Sequence, residues 1–131
     1  MSFLLVLPSI DTSRTLECLY SMNDKLLSRT LVVDNSRDGN ISTTRISSKL
    51  FGVVSNYMNI GVARSWNIGA QIVLDKGLDY LVVCSAAVVF DDGGTSLIDS
   101  LEKNEDIFGM ETNLAWHLIC FSRITLKAVG L

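Results

Sequence analysis

The chain is 131 residues long, 48% hydrophobic and 19% charged, with one proline. That length and composition suit one folded domain over residues 1–131 and exclude a disordered or low-complexity chain. The formal net charge is −3 and the eleven Lys and Arg residues are scattered, so no basic stripe marks nucleic acid as a partner.

In chain order, residues 3–7 form a continuous apolar run closed by Pro8, the pattern of a strand buried on both faces of a parallel sheet. No basic residue precedes this short run, so it reads as a strand and not as a signal peptide. Leu16, Leu19, Tyr20, Met22 and Leu26 then recur at near-helical spacing, behind the capping candidates Asp11, Thr12 and Ser13. A second buried strand runs from Thr30 to Val33 and ends at Asp34, "SRDGN" is a turn, and "TTRISSKL" suggests a short helix.

"GVVSN" supplies a third strand. Val62, Ser65, Trp66, Gly69, Ile72 and Val73 mark a helix that stops at Gly77. "YLVVC" is the fourth strand, residues 96–103 an amphipathic helix, "DIFGM" and "HLICFSR" two further strands, and "ITLKAVGL" the opening of a last helix. Such alternation predicts an α/β fold with a mostly parallel sheet flanked by helices and right-handed crossovers. No run approaches the ~20 apolar residues of a membrane span. Cys18, Cys84 and Cys120 are widely spaced and His117 is the one histidine. The thiols therefore read as reduced, without a disulfide or zinc site, and the location as cytoplasmic.

Ligands of such sheets sit beyond the carboxyl ends of the strands. Here those ends carry residues 8–11, 34–38, 56–61 and 85–87. Asp34 can accept an N–H from a ligand, with Asn35 and Ser36 beside it; the same residues can equally cap a turn. Asn59 and Gly61 precede a helix whose first backbone N–H groups favour an anion, and Arg64 lies one turn in, with Asn67 about two turns on. An Asn cap and a solvated arginine would leave the same pattern. His117 reads as a core or rim residue. Neither a dinucleotide fingerprint, a Walker loop nor a G-x-S-x-G elbow is present.

Taken together, these segments resemble the inverting family 2 glycosyltransferases of the GT-A fold. The family's V-P-x-x-N-like opening corresponds to "LVLPSID", and its V-V-D-N-S-x-D-like strand end to "LVVDNSRDG". N-x-G-x-A-x-x-x-N-x-G is met at every fixed position by "NIGVARSWNIG", and S-R-x-x-L-x-x-V-G by "FSRITLKAVG". The resemblance implies a nucleotide-sugar site for a donor of UDP or dTDP type, serving glycosyl transfer to an acceptor. Pro8, Ser9 and Asp11 would contact the nucleoside, Asp34 with Asn35 would read the base, and Asn59, Gly61, Arg64 and Asn67 would follow the ribose and diphosphate. Arg64 or Arg123 would pair with phosphate oxygens.

Two departures stand out. Ser85, Ala86 and Ala87 occupy the place of the D-x-D-type motif that holds Mn²⁺ or Mg²⁺ in the family. These residues offer no hard anionic oxygen, so no metal cofactor is expected; Asp91 and Asp92, a few residues on, are the weak candidates. The family's acceptor-binding part and general base usually follow the V-G at which this sequence stops. The chain thus looks like the donor half, with a homo-oligomer or partner chain covering a truncated edge at "DIFGM" and "HLICF". A catalytically inactive module for nucleotide binding or assembly is the alternative.

Overall fold

A computed structural model of the chain describes residues 2–103 and 117–129. It contains a five-stranded sheet in the order β3-β2-β1-β4-β5. The strands are β1 (Phe3–Ser9), β2 (Thr30–Asp34), β3 (Gly52–Ser55), β4 (Tyr80–Cys84) and β5 (Leu118–Ser122). The first four run parallel, while β5 pairs antiparallel with β4, Cys84 opposite Leu118 and Tyr80 opposite Ser122. The helices are α1 (Thr12–Tyr20), α2 (Asp24–Leu27), α3 (Val62–Lys76), α4 (Thr95–Glu102) and α5 (Arg123–Val129). In "TTRISSKL" the expected helix takes the tighter 3₁₀ form, over Arg45–Lys49, and a second 3₁₀ turn, Asn40–Thr43, leads into it. The strand expected at residues 106–110 lies outside the described residues.

Alternation along β1 splits the core into two layers. Phe3, Leu5 and Leu7 pack with Cys18, Leu19, Leu26, Ile98 and Leu101, beneath α1, α2 and α4. Leu4 and Val6 pack with Ala70, Val73, Leu81 and Leu126, beneath α3 and α5. The continuous apolar runs of the sequence are therefore explained by a sheet covered on both faces. Helix α3 comes unusually close. A Cβ added at Gly69 would meet Val6 Cβ and Leu81 Cδ1 at 3.0 Å, so a larger residue there would have to push β1 or β4 side chains aside for the helix to rest as closely on the sheet.

Pro8 shapes the upper end of the sheet. The Leu5 N–H bonds the Arg29 carbonyl on the β2 side at 2.8 Å, so the even-numbered residues of β1 present their N–H groups towards β4. Proline has no N–H to offer there, and the β1–β4 pairing ends at Val6 opposite Val83. On the β2 side pairing continues to Ser9 opposite Asp34. The two central strands consequently part at their carboxyl ends.

Candidate nucleotide site at the carboxyl edge of the sheet

Where β1 and β4 part lies a cleft of about 580 Å³. Its floor comes from Pro8, Val83 and Cys84, and one rim from Ile10, Asp11 and Arg14 at the start of α1. Val62 and Trp66, in the first turn and a half of α3, form the facing wall. Ser85, Ala86, Ala87 and His117 close the remaining side. The Ser85 N–H bonds the His117 carbonyl at 2.6 Å, joining the end of β4 to the residue before β5.

Each wall is held by local hydrogen bonding. Asp11 caps α1, accepting the Arg14 N–H at Oδ1 over 3.2 Å. Ser9, buried beneath this turn, shares a 2.6 Å hydrogen bond with the Thr15 hydroxyl. Gly61 takes φ +87° just before α3, a conformation open to glycine, and its N–H bonds Asn59 Oδ1 at 2.9 Å. Ser85 Oγ accepts the Ala87 N–H at 3.1 Å, which leaves the hydroxyl proton of Ser85 available as a donor.

Asp34 and Asn35 are buried beside the cleft, not in its lining. Asp34 Oδ1 accepts the Ser36 N–H at 3.0 Å and the Ser36 hydroxyl at 2.6 Å, while Oδ2 accepts the Ile41 N–H at 3.3 Å. The carboxylate thereby folds residues 36–41 over itself. Asn35 donates to Ser65 Oγ at 2.9 Å and accepts from Asn56 at 2.9 Å, and Ser65 in turn donates to the Gly61 carbonyl at 2.8 Å. This chain of bonds ties the ends of β2 and β3 to the first turn of α3.

Of the residues singled out from sequence, Pro8, Asp11, Ser85, Ala86 and Ala87 meet in the cleft. Asn59, Gly61 and Arg64 surround the start of α3 without lining it, and Arg64 is exposed. Asn67 borders a separate apolar cavity of about 260 Å³ behind Trp66, between α3, β4 and α5. Arg123 requires a correction. The antiparallel course of β5 carries it to the opposite end of the sheet, where its Nη1 donates to the Gly77 carbonyl at 2.6 Å. Sequence reasoning missed Ile10, Arg14, Val62, Trp66, Val83 and Cys84 as lining residues, Arg14 alone having a signal in its place in the first turn behind the Asp11 cap; His117, read as a core or rim residue, lines the cleft.

The donor set does not fit a hard divalent cation, which takes several anionic or carbonyl oxygens. Among the described residues, the one carboxylate lining the cleft is Asp11, and no three His, Cys, Asp or Glu side chains group as metal ligands. Asp91 and Asp92 lie elsewhere. The Gly93 carbonyl between them and Gly94 accepts the Asn23 N–H at 2.8 Å, near the far end of α1. Asp92 accepts the Gly94 and Ser96 N–H groups at 3.0 and 2.9 Å, and the Ser96 hydroxyl as well. The Ser96 hydroxyl, followed by those N–H groups, lowers the Asp92 carboxyl pKa. In the cleft floor, the hydrogen-bonded Cys18 side chain and then burial raise the Cys84 thiol well above its usual range.

No protein-family model matches the chain, and no curated protein matches it. Solved structures do. The mannosyltransferase PcManGT of Pyrobaculum calidifontis, in complex with GDP-Man and Mn²⁺, aligns over 98% of this chain and 46% of its own, with TM-score 0.67 and 17% identity. A mannose-1-phosphate geranyltransferase of Thermus thermophilus aligns over 81% of this chain and 39% of its own, with TM-score 0.54 and 20% identity. A cytidylyltransferase of Leptospira borgpetersenii serovar Hardjo-bovis covers 98% and 63%, with TM-score 0.54 and 11% identity.

The likeness is one of fold. The chain has a Rossmann-like α/β fold, a mostly parallel sheet flanked by helices, in common with these three proteins, and it spans less than two thirds of each of them. Among the described residues, no helix is long and apolar enough to cross a membrane.

Proposed function

We propose that the cleft binds a nucleotide-diphosphate sugar, of UDP or dTDP type, as the donor site of a GT-A-like glycosyltransferase. One observation carries this reading. The end of β4, the turn after β1 and the helix that opens with "NIGVARSWNIG" converge on one cleft at the carboxyl edge of the sheet, the place where such sheets take ligands. Its likeness in fold to a mannosyltransferase solved with GDP-Man supports the same ligand class.

In this reading the nucleoside rests on Pro8, Ile10 and Asp11, and its base faces the turn that Asp34 and Asn35 hold. The diphosphate points towards the start of α3 and towards Ser85 and Ala87, without a divalent cation. Glycosyl transfer also needs a base near the acceptor hydroxyl. The lining carboxylate Asp11 is engaged as a helix cap, which favours a second reading, an inactive nucleotide-binding or assembly module.

Calorimetric titration with UDP, dTDP and GDP, each with Mn²⁺ and with chelator, tests the proposal. The expected result is one preferred pyrimidine nucleotide whose affinity is the same in both conditions. Affinity that appears only with Mn²⁺ overturns metal-independent binding. Absence of binding throughout leaves the assembly module, whose sign is a mass by size exclusion that rises with concentration.

A further inference from the structure

The cleft contains a cation that no sequence motif marks. Arg14 stands on its rim in the first turn of the nine-residue α1. Of the other basic side chains, Lys25 pairs with Glu102 at 2.8 Å and Lys49 with Asp24 at 3.1 Å, while Arg64, exposed at the start of α3, lies outside the cleft lining. Arg29 lies over the Phe3 ring at 5.8 Å, and Arg123 is bound to the Gly77 carbonyl. Among the described residues, the Arg14 guanidinium has no such partner, and Arg14 is the lysine or arginine that lines the cleft. Across from it, Ser85 has a hydroxyl proton to donate, while Ala86 and Ala87 bring no charge.

We propose that Arg14 is the cation of this site and holds the diphosphate of the ligand, with Ser85 Oγ as a second donor. This rests on the reading of the cleft as a nucleotide-diphosphate site. Among the described residues a diphosphate in the cleft finds no set of metal ligands, and the Arg14 guanidinium fork is the lining group able to pair with two of its oxygens at once. The guanidinium brings a fixed fork of donors to the site without a bound metal. The site discriminates for phosphate charge: it holds the diphosphate more tightly than the nucleoside.

The test is calorimetry on the full chain with inorganic pyrophosphate, with UDP, dTDP and GDP, and with the matching nucleosides, all in chelator. Arg14→Ala is expected to weaken pyrophosphate and the preferred diphosphate about 10- to 100-fold, the worth of a hydrogen bond to a charged group. It should leave the nucleoside unchanged, and Arg14→Lys should recover part of the loss. Unchanged pyrophosphate affinity in Arg14→Ala overturns the assignment, as does a pyrophosphate affinity that needs Mn²⁺. Arg14-dependent pyrophosphate binding without any nucleoside preference keeps Arg14 as an anion site and removes the nucleotide reading. Nucleoside binding with no gain from the diphosphate removes Arg14 and keeps a nucleoside site. A wild-type chain that binds none of these probes overturns both.

Discussion

The two ends of the sheet are built from similar polar residues and are used differently. At the amino end, the Asp79 N–H bonds the Ser2 carbonyl at 2.9 Å and Asp79 Oδ2 accepts the Ser2 N–H at 3.2 Å. The Asp79 carbonyl accepts the Arg123 N–H at 2.8 Å, and Arg123 reaches on to Gly77. Strands β1, β4 and β5 are laced together there. At the carboxyl end, the β1–β4 pairing stops at Val6 opposite Val83, and Asp11, Arg14 and Ser85 line a cleft there. A charged residue at the edge of a sheet is therefore no sign of a site in itself. What matters is whether the chain already supplies its partner.

That contrast can be broken most forcefully at Asp34, which lies at the open end yet is wholly supplied with partners. Asp34→Ala strips acceptors from two backbone N–H groups and a hydroxyl, and a loss of about 3 kcal/mol is expected in denaturant unfolding. A stability loss near zero would mean that the carboxylate is free for a ligand. At the laced end, Asp79→Ala removes one part-buried acceptor. It should cost about 1 kcal/mol and leave ligand affinity at the other end untouched; a change in affinity would show that the two ends are coupled.

A third expected effect, confined to alkaline pH, falls on β5. Burial pushes the Cys120 thiol from 9.0 up to about 12, so folding favours its neutral form. The stability this contributes is fully present below the unfolded-state value and fades as pH rises from about 9 towards 12. Cys120→Ser should flatten the fall in melting temperature across that window. An identical fall in the variant would place the alkaline loss on other groups.

The fold was legible because a sheet covered on both faces writes its strands as unbroken apolar runs, as at residues 3–7 and 30–33. Strand direction is not written in such runs. Residues 117–123 have the composition of a parallel strand, yet β5 starts beside Ser85 and runs back, which sends Arg123 to the laced end. The cleft was half legible. Pro8, Asp11 and the Ser85 to Ala87 segment lie at strand ends, where the topology alone gathers them. Arg14 and Trp66 reach it from the first turns of two helices on opposite faces of the sheet, and only the packing of α1 and α3 brings them to one opening. Asp92 shows the converse: read from sequence as a weak metal candidate, it is engaged by the Gly94 and Ser96 N–H groups at the start of α4.

Pro8 gives the site a thermodynamic character of its own. Between β1 and β4, where the order of the sheet reverses, a covalent ring also stands where a ladder hydrogen bond would form. Pro8 therefore cannot close that bond by any rearrangement of its backbone. A ligand of the proposed kind would meet an opening that this position keeps from pairing, and would spend little of its interaction energy on parting the two strands there.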